Sequence, residues 1–171
     1  MNDGKTSPSS GSFKDDMLAL VPDLRGFAYS LSGNFHRADD LVQETLVKAW
    51  SHQDSFSMGT NMRAWLFTIL RNEFYSLMRK RRREVEDADG VFASQLTAPA
   101  AQESSIEMEE MRVALAQLPD DQREALILVG ASGLSYEEAA EICGTAVGTI
   151  KSRVSRARNK LVTLLGVDAD V

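Results

Sequence analysis

Apolar positions recur along this chain at spacings of three and four, the period of helices with one buried face. Leu24, Phe27, Ala28 and Leu31 form the first stripe, with Pro22 where a helix opens and Gly33 where one closes. Leu41, Thr45, Leu46, Ala49 and Trp50 form the second, in HRADDLVQETLVKAW, leaving Asp39, Asp40, Gln43, Glu44 and Lys48 on the remaining surface. Asn61 is a good N-cap for the third, in which Trp65, Leu66, Ile69, Leu70, Phe74 and Leu77 share a face. That helix is predicted to end at Arg83, a rod of roughly 35 Å at about 1.5 Å per residue. The pattern breaks over 84–105, first acidic (EVEDADG) and then small and polar (TAPAAQESS), which reads as a linker. It resumes at Ile106, Met108, Met111, Val113, Leu115 and Leu118, and again after Pro119, Asp120 and Asp121 through the apolar run Leu126–Val129 to Gly133. Nothing alternates with the period of a strand. The fold class is therefore all-α: two small helical domains, 13–83 and 106–171, joined by a flexible linker of 84–105. Residues 1–12, rich in Ser, Gly, Pro and Asn, are expected to be a disordered tail.

The C-terminal stretch has finer punctuation. Ser135 and Glu138 form the S-x-x-E signature of a capping box at the start of a short helix. Gly144 permits a left-handed exit from it, and Thr145 is placed to cap the next helix. Val147, Ile150, Val154, Ala157 and Leu161 then face inward, leaving Gly148, Thr149, Lys151, Ser152, Arg153 and Arg156 outward. Two helices separated by so short a turn predict a helix-turn-helix, whose second helix enters the DNA major groove. Thr149, Lys151, Ser152, Arg153 and Arg156 are its candidate DNA-binding residues, with the bases donating to phosphates or guanine edges.

Charge sharpens this picture. The formal net charge of -6 conceals an alternation. Residues 63–83 carry 7 bases and 1 acid, residues 84–110 carry 8 acids and no base, and residues 145–165 carry 5 bases and no acid. Two separated basic patches suit two contacts with nucleic acid despite the acidic whole. In the first patch Arg71, Arg79, Lys80 and Arg81 are candidate DNA-binding residues. Trp65, Phe67, Phe74 and Tyr75, interleaved with them, serve either as core or as platforms for unstacked bases.

Other functions find little support. The single cysteine, Cys143, precludes an intramolecular disulfide and reads as a small buried hydrophobe. His36 and His52 have no company that would make a metal site. No nucleophile–base pair or phosphate-binding glycine loop is present, so no catalytic residue, cofactor or enzymatic activity is expected. The chain has no apolar run long enough to span a membrane, and its first residues do not read as a secretory signal; a cytoplasmic protein without membrane contact is expected.

Three stretches, ADDLVQETLVKAW (38–50), NMRAWLFTILRNEFYSLMRKRRR (61–83) and LPDDQREALILVGASGLSYEEAAEICGTAVGTIKSRVSRARNKL (118–161), resemble in content and order the extracytoplasmic-function sigma factors of bacterial RNA polymerase. The resemblance implies that Asp39, Asp40, Gln43 and Glu44 belong to a surface for core RNA polymerase. It also implies that residues 61–83 read and open the promoter -10 element, and that residues 145–160 bind the -35 element. Its overall texture is similar to the alphaproteobacterial general-stress subgroup, which implies a small anti-sigma protein as a further partner. Two other readings remain open at this point: a stand-alone helix-turn-helix regulator, or a sigma-like decoy that binds only protein.

Overall fold

The computed structural model describes residues 10–88 and 105–167. The order of elements is α1 Ser10–Ala19, α2 Val21–Ser32, α3 Phe35–Ser51, α4 Met62–Asp87, α5 Ile106–Ala116, α6 Asp120–Leu126, α7 Tyr136–Cys143 and α8 Val147–Leu165. No strand occurs among the described residues.

Local chemistry sets most of the boundaries. Gly33, at φ 65°, ends α2 in the left-handed conformation, and its N–H donates to the Tyr29 carbonyl. Asn34 and Asn61 cap α3 and α4 by accepting from the N–H groups of Arg37 (3.0 Å) and Ala64 (3.1 Å). Four expectations are corrected. A helix, α1, begins inside the stretch assigned to the tail, because Phe13 and Met17 find burial against the next helices; residues 1–9 lie outside the described residues. Helix α4 does not stop at Arg83 but continues through Glu84 and Glu86 to Asp87, since nothing there breaks a helix and Val85 packs partly inward. The rest of the expected linker, 89–104, is outside the described residues. Trp50, assigned to the buried stripe of α3, is 44% exposed at the rim of an aromatic cluster. Thr145 does not cap α8; Ala146 occupies that position without a side-chain bond.

The N-terminal unit closes around Leu24, Phe27, Leu66, Phe67 and Leu70, all at most 1% exposed. Phe27 and Phe67 stack at 4.7 Å, which places Phe67 in the core and takes it away from any role as a base platform. Phe13, Phe56 and Trp65 form a second aromatic group, with ring centroids 5.0–6.1 Å apart, that ties α1 and the turn before α4 to the bundle. Lys48 pairs with Glu73 between α3 and α4; Glu73 holds the ammonium above its usual range by hydrogen bonding, against the opposing effect of desolvation. In the C-terminal unit Ile150, Val154 and Ala157 of α8 pack beneath α6 and α7. A π-helical turn, Ile127–Ala131, follows α6, and Leu128 within it is fully buried.

The two units meet. A continuous apolar cluster runs from Leu66 and Leu70 of α4 into Leu128, Leu134, Ala139, Ala140 and Ile142. Helix α4 packs on α7, and α2 packs on α6.

Candidate nucleic-acid interface

The helix-turn-helix forms with the cap at Ser135 and the turn at Gly144 that its sequence predicts, though not with the cap expected of Thr145. Ser135 accepts from the Glu138 N–H at 3.0 Å, and Gly144 turns the chain at φ 62°. The reciprocal half of the capping box is absent: the Glu138 carboxylate reaches across to Asn61 Nδ2 at 2.9 Å instead. Helix α8 then starts with Gly148 exposed and Thr149 half-buried, so the backbone at its N-terminal end is open to approach. Lys151, Ser152 and Arg156 are exposed, and Arg153 is half-buried. Of these, Thr149, Ser152, Arg153 and Arg156 come together with Gly148 around one shallow recess of about 390 Å³. Lys151 sits apart, its ammonium 5.8 Å from the centre of the Tyr136 ring.

Two residues of α6 complete the recess and were not anticipated: Asp121 and Gln122. Asp121 pairs with Arg153 at 3.4 Å and so fixes the direction of a base on the recognition helix. In sequence Asp121 reads only as a helix-opening acid; nothing there pairs it with a residue about thirty positions later.

Helix α4 divides into two parts. Arg79, Lys80 and Arg81 are exposed, as are Arg82 and Arg83. Arg71 is not part of this surface. It donates through Nε to Glu124 Oε1 at 2.5 Å and through Nη2 to Oε2 at 3.5 Å, and its guanidinium lies 4.7 Å from the Tyr75 ring centre. Tyr75 donates to the same carboxylate at 3.3 Å. Glu124 is 2% exposed, so this pair is shielded from solvent. Burial is the largest single influence and weighs against the Arg71 charge, but the Glu124 hydrogen bond together with the Glu124 charge leaves its pKa raised. Burial, reinforced by Glu124, pushes the Tyr75 hydroxyl up to about 12. The Cys143 thiol, half-buried beside this group, is pushed up to about 11 chiefly by desolvation and then by Glu124. The expected grouping of Arg71 with Arg79–Arg81 fails because a helix of 26 residues turns different residues toward different neighbours.

On α3, Asp39, Asp40, Gln43 and Glu44 are all exposed. Asp40 and Glu44 line a groove of about 420 Å³ between α3 and α4, floored by Leu41, Phe74, Leu77 and Met78 and reached by Arg37 and Arg81. Asp39 points elsewhere, to Arg25 of α2 at 3.1 Å, and Asp40 also meets His36 at 3.2 Å. Among the described residues no helix is long and apolar enough to cross a membrane.

A small helical unit with a basic third long helix, followed by a helix-turn-helix unit, is the architecture of the sigma-70 class of transcription initiation factors. Family models agree in both halves: Sigma-70 region 2 matches residues 17–84, and Sigma-70 region 4 matches residues 108–161. The chain is 66% identical to the ECF RNA polymerase sigma factor EcfG of Rhodopseudomonas palustris, over 94% of this chain and 89% of that protein. It is 34% identical to the ECF RNA polymerase sigma factor SigM of Bacillus subtilis, over 83% of this chain and 88% of the relative. Among solved structures it resembles the sigma factor RpoE in complex with the anti-sigma factor NepR from Bartonella quintana, with a TM-score of 0.83 and 61% identity over 92% of this chain and 98% of that one. The chain belongs to the extracytoplasmic-function sigma factors. It is thus a subunit that binds core RNA polymerase and directs it to promoter DNA, and it is not itself an enzyme.

Proposed function

We propose that the labour is divided between the two units as follows. Residues 13–83, with the helical continuation to Asp87, dock on core polymerase and engage the -10 element; residues 106–171 bind the -35 element; the intervening acidic segment is the tether. The observation that carries the DNA assignment is the N-terminal half of α8. Thr149, Ser152, Arg153 and Arg156 meet around one recess without an acid on their own helix, and Lys151 of the same helix lies over Tyr136. Arg153, steered by Asp121, is the base-edge reader of this set, and Arg156 and Lys151 neutralise phosphates.

At the -10 element, Arg79, Lys80 and Arg81 follow the phosphates of the opened strand. The turn over 57–60, closed by the Thr60 hydroxyl donating to the Ser57 carbonyl at 2.6 Å, offers the pocket for a displaced base. Asp40, Gln43 and Glu44 contact polymerase beside the α3–α4 groove, with Asp39 held back by Arg25. The likeness to a sigma factor solved with NepR supports a small anti-sigma protein as partner and a role in a general stress response, exerted in the cytoplasm where the polymerase works.

Promoter-specific transcription with purified core polymerase tests the whole scheme. Addition of the protein should start transcripts at defined promoters, and a Lys151→Ala/Arg153→Ala/Arg156→Ala variant should lose selection of promoters bearing a -35 element. Unaltered selection by that variant would refute the assignment of α8.

A further inference from the structure

Helix α6 packs along α8 and lends two side chains to the recess formed with the N-terminal half of that helix. One of them, Asp121, is committed within the fold: it pairs with Arg153 at 3.4 Å. The other, Gln122, is not. Its main-chain N–H donates to Asp121 Oδ1 at 2.9 Å, but its side-chain amide has no hydrogen-bond partner among the described residues. Gln122 is nevertheless half-buried, so the surrounding structure restricts where its amide can point. Across the recess stand the hydroxyls of Thr149 and Ser152 and the guanidiniums of Arg153 and Arg156. Each of these groups donates hydrogen bonds, and the one acid among them is engaged by Arg153. A hollow of about 390 Å³ ringed by donors suits an acceptor that projects from its own surface.

We infer that Gln122 is a further DNA-contacting residue, donating from outside the recognition helix to a backbone phosphate of the -35 duplex. The inference rests on the reading of α8 as the helix that enters the major groove. A helix in that groove lies between two walls of phosphates, with the base edges on the floor. Lys151 leans from α8 toward Tyr136 of α7 on one flank, and the recess opens on the other flank, where α6 stands. The α6 side of the recess therefore meets a wall of the groove and not its floor, and an amide there finds phosphate oxygens. Side chains of α8 carry the sequence information, and Gln122 fixes the depth and register at which that helix sits. The amide is neutral. Its contact releases no counterion, so it adds affinity without adding salt dependence, and this sets it apart from Arg156.

The test uses holoenzyme assembled from purified core polymerase and the full chain. Its ligands are fluorescein-labelled promoter duplexes carrying the best and the next-best -35 sequences selected by the unaltered protein, read by anisotropy across a range of salt. Gln122→Ala, shown to be folded by circular dichroism, should weaken binding about fivefold. The loss should be the same for both -35 sequences, and the slope of log affinity against log salt should not move. Gln122→Lys puts a charge at the same phosphate, and should recover the affinity while steepening the slope by about 0.9. Full affinity in Gln122→Ala overturns the inference. So does a loss confined to one of the two sequences, which would make Gln122 a reader of base edges, and so does an unchanged slope in Gln122→Lys. Arg156→Ala separates the two levels of argument. If it weakens binding, the reading of α8 stands whatever Gln122 does; if it does not, that reading falls and the inference falls with it.

Discussion

Cys143 reports on the seam between the two units through its chemistry with a thiol reagent. The thiol's ordinary pKa is 9.0, and beside Glu124 and Arg71, desolvated, it rises to about 11. Only the thiolate attacks a disulfide reagent, so at pH 8 the reactive share falls from roughly 9% to about 0.1%, nearly a hundredfold. A more basic thiolate is a better nucleophile, and a Brønsted coefficient of about 0.45 over about two units returns roughly eightfold. The net expectation is a rate at least about tenfold below that of the same chain in denaturant, before any loss from the half-buried position of the sulfur. Absorbance of released thionitrobenzoate measures it directly. The pH profile carries more information than a single rate: the native rate should have its midpoint near pH 11, while the unfolded chain has its midpoint near pH 9. The same shift bears on stability. A group that holds its proton more tightly when folded contributes stability below its unfolded pKa and loses it as the pH rises toward the folded value. For Cys143 that window runs from 9.0 to about 11, and for Tyr75 from 10.0 to about 12. The seam should therefore loosen in alkali, with the thiol reacting faster still as it does. A native rate equal to that in denaturant, with its midpoint near pH 9, would refute a desolvated Cys143 against Glu124.

Three further outcomes are expected. Asp40→Ala/Gln43→Ala should weaken binding to core polymerase in a competition assay while leaving helicity unchanged, because both side chains are exposed and neither supports the core; undiminished competition would count against the α3 surface. Asp121→Asn should alter the preferred -35 sequence, with a change of about 1–3 kcal/mol between best and next-best sites, by releasing Arg153; selection from a randomised -35 library reads this out, and an unchanged preference would remove Arg153 from base reading. Phe67→Ala should cost about 3–5 kcal/mol in denaturant unfolding, since Phe67 is 0% exposed and stacked on Phe27; a loss below about 1 kcal/mol would mean that the bundle repacks around the gap.

Much of this molecule was legible in its sequence where the determinant is local. The caps at Asn61 and Ser135, the left-handed stops at Gly33 and Gly144 and the inward face of α8 follow from a few neighbouring residues, and the structure has them. What was missed depends on partners distant in sequence. Helix α1 lacks a strong stripe of its own and is held by Phe13 against Phe56 and Trp65, more than forty residues on. In sequence Glu124 is one more acid shortly after Asp120 and Asp121, and its burial is decided by Arg71, on a helix from the other unit. Arg71 in turn was grouped with Arg79–Arg81 by charge alone, and charge along a sequence does not say which way a helix faces. The same limit applies to Asp121 beside Arg153.

The seam also has a consequence for descent. Region 2 and region 4 are often thought of as separable pieces, each with its own DNA element to recognise. Here Asn61 donates to Glu138, and Arg71 to Glu124, so each unit supplies polar partners to the other. Loss of Arg71 leaves the buried Glu124 carboxylate unpaired, and is best tolerated when Glu124 changes too. The two halves should therefore have drifted together, with these pairs covarying among sigma factors that close in this way. Chimeras joining region 2 of one such factor to region 4 of another would inherit mismatched faces even when each half recognises its own promoter element faultlessly.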